Sequence, residues 1–159
     1  MKNYLLIIFL CCAFSDVKAI ESKIIHNIGG EIITNVDIKR EFKYLIALNN
    51  SLKELDRKKI LNISNESIIR EKIKKIEISK NFKEIELDKD YYEILLKNIY
   101  LKLNLKSINE FEIYLKDYDL ELNDIKAKIT IDALWNELII QKYKNQISIN
   151  EAQIKKEIL

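Results

Sequence analysis

The sequence predicts a mostly α-helical domain of five to six helices with a short N-terminal β-hairpin. Three observations carry this. Apolar residues recur at helical spacing over most of residues 35–143, capping residues stand before several of the apolar runs, and the only two glycines are adjacent between isoleucine-rich runs. With 159 residues, 48% hydrophobic and 33% charged, the chain has the length and balance of one globular domain. The stretch IIHNIGGEIITNVDI (24–38) reads as a hairpin turned at Gly29-Gly30, because glycine supplies the positive φ angles that tight hairpin turns require.

Thr34 stands three residues before Asp37, an N-cap with an acid in the first turn, and opens a first helix over residues 35–48. Phe42, Leu45 and Ile46 share one face of it. Asn49, Asn50 and Ser51 interrupt it, and residues 52–63 show no clear period. A second helix is expected over 65–83, capped by Ser64 or Asn65, with Ile69, Ile73 and Ile76 inward. A third follows Asp88 over 89–103, with Tyr92, Leu95, Leu96, Ile99 and Leu103 as one stripe. Ser107 and Glu110 form a capping box before a short fourth helix carrying Phe111, Tyr114, Leu115 and Tyr118. The fifth and longest helix covers 123–143, clustering Ile131, Leu134, Trp135 and Leu138. A capping box at Ser148–Glu151 starts a sixth.

Residues 1–19 read separately, as a secretory signal peptide. Lys2 supplies the positive region, Tyr4 to Phe14 the apolar run, and Val17-Lys18-Ala19 a cleavage site after Ala19. The apolar run is shorter than the roughly 20 residues of a membrane span, so no stable membrane insertion is expected. Cys11 and Cys12 lack the preceding small residues of a lipidation site and leave with the peptide. The mature domain, residues 20–159, then has no cysteine and a charge of 25 − 24 = +1. Its signs are interspersed, which argues against nucleic acid as a partner.

Catalytic signals are few. His26 is the only histidine, on an expected strand without triad or metal spacing, and reads as a strand residue meeting solvent or a neighbour. Adjacent glycines cannot build a phosphate loop, and thiol catalysis needs a cysteine the mature chain lacks. Asp117-Tyr118-Asp119 could face a cation but lacks the glycine and further oxygens of a calcium loop. No catalytic residue, metal or cofactor is expected. Aromatics concentrate in the later helices, and on the apolar stripes they serve as core. Tyr91 and Tyr92 are neighbours and cannot share a helix face, so one is exposed or meets something outside the chain. Tyr91, Tyr92, Tyr100, Tyr114, Tyr118 and Trp135 are therefore the candidate peptide-contacting residues.

The succession of parts resembles the N-terminal domain of SurA-type periplasmic chaperones. The hairpin I-x-N-I-G-G-E-I-I-T-x-x-D precedes a helix. Then come I-I-R-E-K-I-K-K-I-E-I-S-K, K-S-I-N-E-F-E-I-Y-L-K, I-K-A-K-I-T-I-D-A-L-W-N-E-L-I-I and I-S-I-N-E-A-Q-I. The likeness runs from about Ser22 to the end of the chain. It implies an ATP-independent holdase that binds unfolded outer-membrane proteins or other extended polypeptides in the periplasm of a Gram-negative bacterium and assists their assembly. Members of that family usually continue into parvulin-type prolyl isomerase domains, which this sequence does not contain, and a C-terminal segment completes their N-terminal domain. Three readings follow: a holdase module, the front part of a prolyl isomerase whose catalytic domain lies beyond residue 159, or an adaptor for one dedicated partner. An unpaired hairpin edge would also invite a second copy of the chain.

Overall fold

A computed structural model describes residues 21–144. The expected signal peptide and sixth helix lie outside the described residues. Strand β1 (Ile24–Ile28) pairs antiparallel with β2 (Glu31–Thr34), with an irregularity in register between Ile24 and His26. Gly29 and Gly30 turn the chain at φ 58° and 91°, both in the region open to glycine. A Cβ at Gly29 would also lie 3.1 Å from Ile76 Cδ1, so the turn rests closely on the second helix.

Helix α1 (Asn35–Leu48) starts in a complete capping box: Thr34 Oγ1 accepts from the Asp37 amide, and Asp37 Oδ2 accepts from the Thr34 amide at 2.7 Å. Thr34→Ala should lower stability by about 1 kcal/mol in urea unfolding. A 3-10 turn (Asn50–Glu54) leads to α2 (Arg57–Asn81), then α3 (Lys89–Lys102), α4 (Ile108–Lys116) and α5 (Leu122–Tyr143). Helix α2 packs on α1, on both strands and on α5, and α5 packs on α2 and α3.

The start of α2 differs from the expectation at Ser64 or Asn65. Asp56 is the cap, and Ser64 is fully buried inside the helix, its hydroxyl donating to the Ile60 carbonyl at 2.7 Å. A serine hydroxyl that bonds back one turn leaves the helix's own amides free to pair, so the residue need not end the helix. The inward face also differs: Ile60, Ser64, Ile68 and Ile78 are buried, whereas Ile73 is exposed. Ser107 caps α4 through the Glu110 amide, but Glu110 Oε2 takes the Lys106 amide in place of the cap's own.

With both glycines in the hairpin, α3 and α4 end on other residues. Asn104 (φ 61°) and Asp119 (φ 52°) take the left-handed position, and the amides of Leu105 and Leu120 reach back to the carbonyls of Tyr100 and Leu115. This is the Schellman termination, tolerated by Asn and Asp because their short polar chains suit that conformation. Two apolar clusters form the core. Ala47, Leu96, Phe111, Leu115, Leu120, Ile125 and Ile129 join α1, α3, α4 and α5. Ile78, Ile131 and Leu134 join α2 and α5, flanked by Phe82, Ile85, Leu87 and Trp135.

Candidate functional site

Helix α3 separates Tyr91 and Tyr92 onto different grooves. One of about 290 Å³ runs between α3 and α5, lined by Tyr91, Leu95, Ile99, Ile129 and Ala133, with Tyr44 of α1 at its side. Tyr91 is 48% exposed there. The other, about 470 Å³, lies over Ile85, Leu87, Tyr92, Ala127 and Ile131 and is rimmed by Lys72, Lys75 and Lys126. Tyr92 is half-buried, its phenol pKa raised by burial, and Lys126 Nζ stands 5.5 Å from its ring centre. The exposed tyrosine is therefore Tyr91.

The other candidate aromatics are not brought onto one surface. Tyr100 packs on Phe111 with ring centres 6.3 Å apart, and Trp135 packs on the Ile78 cluster. Tyr114 and Tyr118 lie 5.2 Å apart, and the Tyr114 hydroxyl donates to the Ala47 carbonyl at 2.6 Å, tying α4 to α1. Burial raises the Tyr114 phenol, whereas Lys53, donating to the Tyr118 hydroxyl at 2.8 Å, lowers that of Tyr118. Three more exposed apolar residues of α3 and α5, outside the lining of the first groove, were not among the sequence candidates. Ile94 (57%) and Leu101 (48%) stand seven residues apart beside Tyr91 on the outer stripe of α3, and Ile140 of α5 is likewise exposed.

The hairpin is tied to α2. Glu31 meets Lys72 and Lys75 at 3.0 Å each, and Lys75 first, then Lys72, hold its carboxyl below the usual range. His26 Nε2 lies 2.9 Å from Asn65 Oδ1, so the lone histidine meets a neighbour. Among the described residues no group of three or more His, Cys, Asp or Glu is placed to hold a metal. Asp119, half of the acidic pair at 117–119, pairs with Lys43 at 2.8 Å.

A charged cluster at the junction of α1, α2 and α5 was not foreseen. Glu41 is 2% exposed, and its Oε2 lies 2.5 Å from Lys128 Nζ, an ion contact without hydrogen-bond angles. Lys128 also contacts Glu71 and sits 4.5 Å from the Tyr44 ring centre. Burial works against its ammonium, but Glu41 and Glu71 outweigh it, leaving the pKa raised. Cavities of about 120 and 150 Å³ flank the triad, and all four of these residues line both.

Comparison of the chain with protein families, curated proteins and solved structures finds no match. No helix among the described residues is long and apolar enough to cross a membrane.

Proposed function

We propose that this chain is an exported, ATP-independent chaperone module that holds extended segments of unfolded outer-membrane proteins. The sequence likeness to SurA-type N-terminal domains and the signal-peptide pattern support periplasmic action. One structural observation carries the binding role: Tyr91 is exposed at the rim of the groove floored by Leu95, Ile99, Ile129 and Ala133, and Ile94 and Leu101 are exposed on the outer face of the same helix. Large apolar side chains grouped on a surface mark a contact for another chain, and a shallow groove suits many clients weakly. The hairpin offers a second contact. Its sheet has two strands among the described residues, with Ile24, Ile25 and Ile32 exposed, so a further extended segment, from a client or a second copy, can add at its edge.

The test is suppression of light scattering by an unfolded outer-membrane barrel protein diluted from urea, without ATP. The domain should suppress it, and Tyr91→Ala with Leu101→Ser should weaken binding of a fluorescent client peptide roughly tenfold, about 1.4 kcal/mol. No suppression by the unaltered protein would sink the reading, as would unchanged binding by the variant. A single saturable partner in place of broad suppression would favour the adaptor.

A further inference from the structure

We propose that the Glu41–Lys128–Glu71 triad is a positioning device: it sets the register of α5 against α1 and α2 and so holds the Tyr91 groove in one geometry. The groove's role in peptide binding rests on the function proposed above. The argument begins with the core. Ile60, Ile68 and Ile78 of α2 and Ile125, Ile129 and Ile131 of α5 are buried. One isoleucine can take another's place in such packing, and apolar attraction has no direction, so these contacts alone discriminate less sharply between neighbouring settings of the helix than a charge does. A buried charge has direction, because only one placement brings it to its partners.

Lys128 stands where that selection matters. Its two chain neighbours face different grooves: Ala127 lines the Tyr92 groove, and Ile129 lines the Tyr91 groove. A turn of α5 by one residue, about 100°, would swing Lys128 itself into one of these linings in place of its apolar neighbour. In the observed register Lys128 reaches Glu41 of α1 and Glu71 of α2 together, and one ammonium ties three helices at one level. Any other register leaves Glu41 buried without a cation, the costly alternative. A buried polar group that selects one helix register at some expense of stability is the best attested use of such groups.

The test replaces the triad by apolar residues, Glu41→Leu, Glu71→Met and Lys128→Met together. Trp135, the only tryptophan, reports the setting of α5 through its indole N–H signal in ¹H–¹⁵N spectra. The unaltered protein should show one indole signal. The triple variant should keep or raise its melting temperature, show several or broadened signals, and bind the client peptide roughly tenfold more weakly. One sharp signal in the variant would overturn the register role, and unchanged affinity would overturn its link to the groove. A variant that fails to fold would also overturn it, since the charges would then support the fold itself. If the unaltered protein binds no peptide, the proposed function falls, and the indole signals still decide the register.

Discussion

Lys128→Met alone should lower stability by about 3–5 kcal/mol in urea unfolding at neutral pH. The chain retains Glu41, whose side chain is 1% exposed, and loses the only cation in contact with it among the described residues. A buried carboxylate without a cation costs several kcal/mol, against a total of about 5–15 kcal/mol for a domain. The choice of pH follows from the sign of the shift. Because Lys128 is raised in the folded state, its contribution is complete below the unfolded lysine value of about 10.4. It is lost only as pH rises through the higher folded value, so neutral pH reads the whole effect. Glu41→Gln added to Lys128→Met should recover much of the loss, since the stranded charge is then gone. If the double variant is no more stable than the single one, the cost lies in packing, not in charge.

Phe111→Ala should cost about 3–5 kcal/mol. Phe111 is fully buried where α4 meets α1, α3 and α5, against Tyr100, and α4 has only nine residues. A helix so short is not stable by itself and forms because its apolar face is covered. Loss of the ring should therefore release α4 before the rest. Amide exchange should show residues 108–116 losing protection more than α2. Equal loss throughout would mean that α4 does not open as a separate unit.

The parts legible in the sequence are those set by local chemistry. Gly29-Gly30 and the Thr34/Asp37 box need only near neighbours, and both the turn and the span of α1 match what they predict. The start of α2 was hidden because Ser64 and Asn65 look like caps, and whether a serine caps or bonds back to the preceding turn depends on what covers it. The face of α2 was hidden by excess: isoleucines at 60, 63, 68, 69, 73, 76 and 78 allow several stripes, and the partner helices choose. Of the candidate tyrosines, the sequence separates Tyr91 from Tyr92 but cannot tell which is exposed; α5 decides that. The triad left one faint signal. Glu41 falls three residues after Ile38 and four before Leu45, and Lys128 three after Ile125, so each interrupts an apolar stripe. Charges on a stripe are common enough at surfaces that only the fold reveals these two as partners.

The separation of those partners along the chain has a consequence in time. Glu41 precedes Lys128 by 128 − 41 = 87 residues. Synthesis and passage across a membrane both proceed from the N-terminus, so the carboxylate is delivered before the ammonium that neutralises it. Throughout that interval α1 cannot bury Glu41 except as a lone charge, and the hairpin and first two helices have no α5 to close against. A chain delivered in that order is expected to close only when its last described helix arrives, with the late lysine among the last parts to be placed.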